Sequence, residues 1–321
     1  MSIVTLLDAS ETGSALRRRL GARAGLSALL LTAAVVIPGC GRSNANATTG
    51  GPLRAVAAEN VWGNLAAQLG GQRAQVASVI SSPAADPHDY EPTAADARLL
   101  AGAELVIVNG IGYDPWASKL LAANPVAGRI VLDVGALLGI DAGENPHRWY
   151  SPSDVRRVVA AITRDYSKLD PQDARYFARR RSQLEEVGLR EYRGLLASIA
   201  KRFRGVRVGA SESIFEPLAQ ALGLRLLTPS SFLRAISEGT EPTAADRTTI
   251  DRQIAQRQIA VWIYNRQNST PDVVRITDAA RRRGIPVVTV TETLVPASTF
   301  QQWQSRQLQA LSSALADATG R

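Results

Sequence analysis

Glu91-Pro92-Thr93-Ala94-Ala95-Asp96 occurs twice in this chain without change, the second time as Glu241-Pro242-Thr243-Ala244-Ala245-Asp246. In each copy Thr-x-x-Asp is a capping-box pattern, in which the hydroxyl accepts from the amide three residues on and the carboxylate reaches back. A local cap requires only the threonine and the aspartate, yet the surroundings match as well. Upstream, Val56-Ala57-Ala58-Glu59 leads to Leu65-Ala66 and Leu69-Gly70, as Val208-Gly209-Ala210-Ser211-Glu212 leads to Leu218-Ala219 and Leu222-Gly223. Downstream, Leu105-Val106-Ile107-Val108-Asn109 is answered by Val261-Trp262-Ile263-Tyr264-Asn265. Repetition of this depth marks two halves of similar structure.

Within each half, short β-branched runs bounded by glycine alternate with helical stretches, the pattern of βαβ units and parallel sheets. Residues 53–58, 75–80, 105–109 and 129–133 read as strands of the first half, and 206–210, 224–228, 261–264 and 286–290 as strands of the second. The expected fold class is α/β: two small lobes, each with a parallel four-stranded sheet and surrounding helices, joined by one long backbone helix. That helix is expected over 171–203, with Asp170 as N-cap and Pro171 at the first helical position. Phe177, Leu184, Val187, Leu195, Ile199 and Phe203 fall near one stripe of it. At about 1.5 Å per residue it is roughly 50 Å long, enough to run the height of a two-lobed protein. Residues 299–318 read as an amphipathic tail helix. The expected division is a lipoprotein signal peptide at 1–39, a tether at 40–51, a first lobe at 52–170, the connecting helix at 171–204 and a second lobe at 205–321. Ligands of open α/β sheets bind beyond the carboxyl ends of the strands, which points to a cleft shared by the lobes.

The 321 residues carry a formal net charge of +8. The basic residues are mostly arginines scattered along helices, with no lysine-rich run and no aromatic interleaving, so no nucleic-acid partner is expected. Arg17, Arg18, Arg19 and Arg23 precede an apolar run at 24–37, followed by Gly39-Cys40. That run is too short to span a bilayer as a mature helix and reads as the core of a cleaved leader. Ile37-Pro38-Gly39-Cys40 resembles the lipobox of bacterial lipoproteins, which makes Cys40, the one cysteine of the chain, the expected lipidation site. Residues 41–51, rich in Gly, Ser, Asn and Thr, read as a flexible tether. The expected product is an extracytoplasmic monomer, lipid-anchored to the cell membrane through Cys40.

The two histidines of the chain both follow proline in a loop that leads to a capped helix. His88 lies in Asp86-Pro87-His88-Asp89-Tyr90-Glu91-Pro92 and His147 in Asn145-Pro146-His147-Arg148-Trp149. Neutral imidazole is the commonest metal ligand, and a pair in matched loops reads as part of a metal site. With these motifs in this order, residues 53–318 resemble the solute-binding lipoproteins of bacterial zinc and manganese ABC transporters. Asp-Pro-His-x-Tyr-Glu-Pro is a hallmark of that family. The run Val106-Ile107-Val108-Asn109-Gly110-Ile111-Gly112-Tyr113-Asp114-Pro115-Trp116 looks like its following strand and loop. Its Asp-Pro-His-x-Trp motif is present with Asn145 in the place of the aspartate.

The resemblance implies a metal site of His88, His147, Glu212 and Glu292, in which Glu212 takes the place of a third histidine as in the manganese-type members. Asn60, Trp62, Asp89 and Tyr90 are the candidates for orienting those ligands. The implied ligand is a divalent metal ion, Mn2+, Zn2+ or Fe2+, and the implied partners are an ABC transporter permease and its ATPase. Imidazole and carboxylate donors without thiolate, and no histidine-rich loop, favour manganese or iron over zinc. Capture rather than turnover is expected, so the chain reads as no enzyme: it has no His-Glu-x-x-His helix, no Gly-x-Ser-x-Gly elbow and no further histidine to act as a base. Two alternatives remain at this point, a lipid-anchored metal-dependent enzyme using a two-His carboxylate site and a binding protein for an organic solute or metal chelate. Glu59, the repeat partner of Glu212, reads as a helix-start or surface carboxylate.

Overall fold

The structure, a computed structural model, describes residues 51–82 and 90–321. The leader, Cys40, most of the tether, and His88 and Asp89 lie outside the described residues. Strands β1 (Leu53–Glu59), β2 (Ala74–Ile80), β3 (Leu105–Val108) and β4 (Ile130–Asp133) form a parallel sheet in the order β2-β1-β3-β4. Strands β5 (Arg207–Ala210), β6 (Arg225–Leu226), β7 (Val261–Asn265) and β8 (Val287–Val290) form a second, in the order β6-β5-β7-β8. The sequence repeat is therefore a repeat of topology. Helices cover both faces of a parallel sheet, so its inner strands read as nearly continuous apolar runs. All four residues of β3 are buried, as is every residue of β1 except Arg54.

The first half adds α1 (Asn60–Gly70), α2 (Ala94–Ala101), α3 (Pro115–Ala123), α4 (Val134–Leu138) and α5 (Pro152–Leu169). The connection runs through a 3-10 turn (Pro171–Asp173), α6 (Ala174–Gln183), a π segment (Leu184–Gly188) and α7 (Arg190–Phe203). The second half follows with α8 (Glu216–Leu222), α9 (Ser230–Ser237), α10 (Ala244–Ala255), α11 (Pro271–Arg282) and α12 (Phe300–Thr319). Both copies of the repeated hexapeptide cap a helix: Thr93 accepts from the Asp96 amide at the start of α2, and Thr243 from the Asp246 amide at the start of α10. Among the described residues, no helix is long and apolar enough to cross a membrane.

The connecting helix differs from the uninterrupted one the apolar spacing suggests. The Leu189 amide donates to the Leu184 carbonyl at 2.8 Å, five residues back, which closes a π turn and accommodates one extra residue. The buried stripe then runs Phe177, Leu184, Leu189, Tyr192, Ile199, Phe203, while Val187 is 61% exposed. A regular helix would have turned Val187 inward.

One core serves both halves. A continuous cluster runs from Leu65, Leu105 and Trp149 through Tyr166, Phe177 and Phe203 to Ile263, Phe300 and Leu315. Two smaller clusters fill the outer faces of the two sheets. The seam is also closed by paired polar bonds. Asn60 Nδ2 donates to the Leu294 carbonyl (3.0 Å) and Asn60 Oδ1 accepts from the Leu294 amide (2.9 Å). One turn along α1, Asn64 Oδ1 accepts from the Phe300 amide at 2.8 Å.

Candidate metal centre

The carboxyl ends of β5 and β8 and the loop before α5 converge on one point. Glu212 lies just beyond β5 in extended backbone, at the start of the 3-10 turn (Ser213–Phe215) that runs into α8. Glu292 lies just beyond β8. His147 precedes a 3-10 turn (Arg148–Tyr150) that leads into α5. All three side chains are fully buried, with His147 Nε2 3.7 Å from Glu212 Oε1 and 3.6 Å from Glu292 Oε2. One ligand atom from each lies within 4.8 Å of the others. Two donors bound to a tetrahedral ion with bonds of about 2.1 Å stand about 3.4 Å apart, close to these separations.

His147 and Glu292 are each held from behind. Asn145 Oδ1 accepts from the His147 amide and faces Nδ1 of the ring, both at 3.0 Å. Because that oxygen already serves as an acceptor, the ring places its proton on Nδ1 and directs Nε2 toward the two carboxylates. Glu292 receives Tyr113 Oη on Oε2 (2.6 Å) and Asn265 Nδ2 on Oε1 (2.9 Å). Burial, then the charge of Glu292 and its hydrogen bond, push the Tyr113 phenol well above its ordinary range, so it remains a donor. Gln267 Oε1 accepts from the amides of Glu292 and Thr293 and fixes the loop after β8. Aromatic rings wall the site: Trp149 meets Tyr113 and His147 edge-on at 5.2 and 5.5 Å, and Trp62 at 6.1 Å.

Of the residues expected to support the site, Trp62 acts at one remove. Its Nε1 donates to Asn109 Oδ1 (3.0 Å), and Asn109 Nδ2 donates to the carbonyl of Pro146, beside His147. Asn60 holds Leu294, two residues past Glu292. Tyr90 lies elsewhere: its hydroxyl donates to Asp96 at 2.9 Å and its ring packs on Trp116, so it belongs to the cap of α2. Burial, then Asp96, push that phenol up to about 12. Tyr113, Asn145 and Asn265 are supports to which sequence reasoning gave no role. Asn265 was within reach, since it ends β7 as its repeat partner Asn109 follows β3, and both reach toward the same centre.

Residues 55–314 match the profile of the family described as zinc-uptake complex component A, periplasmic, ZnuA. The chain belongs to the ZnuA family. It is 26% identical to the manganese-binding lipoprotein MntA of Halalkalibacterium halodurans over 167 residues, 50% of this chain and 55% of that protein, so against this relative it spans about half the length. It is 23% identical to the manganese ABC transporter substrate-binding lipoprotein PsaA of Streptococcus mitis over 255 residues, 72% of this chain and 78% of that one. A Mn-bound mutant of the periplasmic metal binding protein of Candidatus Liberibacter asiaticus superposes with a TM-score of 0.70 at 18% identity, covering 82% of this chain and 99% of that one. FpvC of Pseudomonas aeruginosa in complex with Mn2+ gives 0.67 at 22%, over 83% and 99%. At these identities the likeness is one of fold.

This ZnuA-family chain also buries a carboxyl pair beside the centre. Glu59 is 1% exposed at the end of β1, and Asp114, equally buried, accepts the amides of Asn109 (2.7 Å) and Gly110 (2.8 Å). The helix-start part of the Glu59 expectation holds, since it directly precedes α1, but the surface part does not: β1 is an inner strand, and its end is covered. Burial first, then the charge of Asp114, push the Glu59 carboxyl well above its usual range; burial raises Asp114 too, but the amides of Asn109 and Gly110 work against that rise, so Glu59 is the member of the pair that keeps a proton more readily. A carboxyl raised in the fold keeps a proton that the unfolded chain releases, so it lowers stability as pH rises through the ordinary carboxyl range. Glu59→Gln is therefore expected to gain melting temperature relative to wild type between about pH 4 and pH 7. A difference that does not grow over that interval means Glu59 is ionised in the folded protein.

Proposed function

We propose that this protein is an extracytoplasmic, lipid-anchored receptor that captures a divalent transition metal ion with His147, Glu212, Glu292 and His88 and hands it to an ABC transporter permease for import. The observation that carries the reading is the convergence of an imidazole nitrogen and two carboxylates in a site closed to solvent. A buried set of that kind requires its negative charge to be neutralised, either by protons on its members or by a metal ion between them. The donors suit mid-series divalent ions and include no thiolate, which favours Mn2+ or Fe2+ over Zn2+ as cargo. The manganese-binding names of MntA and PsaA agree with that choice. The leader and Cys40 supply the anchor, the permease and its ATPase are the partners, and the protein acts as a monomeric carrier without catalysis.

Elemental analysis of protein purified without added metal, followed by calorimetric competition between Mn2+ and Zn2+, tests the reading. One bound metal per chain is the expected result. A metal-free chain that takes up neither ion leaves the organic-solute alternative. Because proton and metal compete for the same imidazole nitrogen, affinity is expected to fall between about pH 7.5 and pH 5. Equal affinity at both values removes His147 from the ligand set.

A further inference from the structure

The loop that carries His147 reaches the other half of the molecule through one side chain. Asn145 Oδ1 receives the His147 amide and ring Nδ1, while Asn145 Nδ2 donates to the Ser213 carbonyl (2.7 Å) and to Glu216 Oε2 (2.8 Å). Ser213 follows Glu212 directly, and Glu216 opens α8. Two acceptances on one atom and two donations from the other are what a primary amide supplies. An aspartate in this place would accept both His147 bonds but would offer no hydrogen to Ser213 and would set its charge against that of Glu216. The second half therefore dictates which way the amide points, and the amide dictates which ring nitrogen of His147 carries the proton.

We propose that Asn145 is a positioning residue that couples the metal-binding form of His147 to the seating of the second half on the first. The proposal rests on the reading of His147 and Glu212 as metal ligands. While α8 is seated, Glu216 and the Ser213 carbonyl fix the amide, Oδ1 holds the Nδ1 proton, and Nε2 is kept for the metal. Withdrawal of the start of α8 removes both acceptors from Nδ2 and frees the amide to rotate. The same withdrawal takes away Ser213 Oγ, which stands 3.4 Å from Nδ1 and is bonded to Ser237 Oγ at 2.8 Å. A transporter that pulls on the second half thus loosens the metal without touching any ligand.

The test is the rate of Mn2+ release into excess chelator for wild type, Asn145→Asp, Glu216→Ala and the double variant Asn145→Asp/Glu216→Gln. Asn145→Asp is expected to weaken Mn2+ binding by about ten- to a hundredfold, the range usual for a changed group behind a ligating histidine, mostly through faster release, because the carboxylate keeps the His147 bonds but donates to neither Ser213 nor Glu216. Glu216→Ala, which leaves the His147 loop intact, is expected to speed release in the same direction. The double variant recovers most of the loss, because the new glutamine amide donates to the new carboxylate. Nitrogen NMR of the metal-free imidazoles, with only two histidines to assign, reads the Nδ1 proton directly, and its signal shifts in Asn145→Asp and returns in the double variant. Release at the wild-type rate in Asn145→Asp, or no recovery in the double variant, overturns the coupling while leaving the metal site standing. A wild-type protein that takes up neither Mn2+ nor Zn2+ overturns the metal reading and the coupling with it.

Discussion

Replacing His147 with alanine is expected to raise the dissociation constant for Mn2+ and Zn2+ by at least about a hundredfold. The imidazole faces both carboxylates, at 3.6 and 3.7 Å, and is itself fully buried. The same change leaves two buried carboxylates facing one another without the imidazole, a loss of the kind that costs roughly 3–5 kcal/mol in the metal-free protein. Thermal unfolding with and without metal separates the two effects. At a hundred times its dissociation constant a ligand stabilises the fold by about 2.7 kcal/mol, which raises the midpoint by about 5–10 °C for a domain of this size. That rise is expected in wild type and absent in His147→Ala. A variant that keeps the full rise removes His147 from the site.

The second large effect is expected at Trp149. Its ring is fully buried and forms the floor against which Trp62, Tyr113 and His147 stand. Truncation to alanine is expected to cost about 3–5 kcal/mol in denaturant unfolding, the usual range for a large aromatic lost from a packed core. Trp149→Phe is expected to cost much less, because Nε1 of Trp149 has no hydrogen-bond partner among the described residues and only volume is lost. Metal affinity should fall in Trp149→Ala as well, since both His147 and the Tyr113 that holds Glu292 lose their wall. Unchanged affinity in a destabilised variant would mean that Asn145 and the loop backbone position the histidine alone.

Much of the architecture was legible because it is written twice. All eight strands lie within a few residues of where the β-branched runs place them, and the duplicated capping motif opens α2 and α10 in equivalent positions. The convergence of His147 with Glu212 and Glu292 followed from matching motifs in order, not from any local pattern. What escaped is of two kinds. Hydrogen bonds such as Tyr113 to Glu292 join residues 179 apart, and no spacing rule reports on a pair brought together only by two lobes closing. Glu59 escaped because a carboxylate after an apolar run usually marks where burial stops. Here the run is an inner strand of a covered parallel sheet, and the burial continues.

The extra residue in the connecting helix sets an angle. Adding or removing one residue in an α-helix turns everything after it by about 100° and shifts it by about 1.5 Å. The π turn at Leu184–Gly188 thus fixes the azimuth of α7, and through α7 that of β5, whose end carries Glu212. Val187 and its neighbours Glu185 and Glu186 face outward or nearly so, and substitutions there cost little. Length is another matter. Homologous chains should drift freely in the identity of these side chains while their number stays constant, because a single deletion in this turn swings the sheet that carries both Glu212 and Glu292 away from His147.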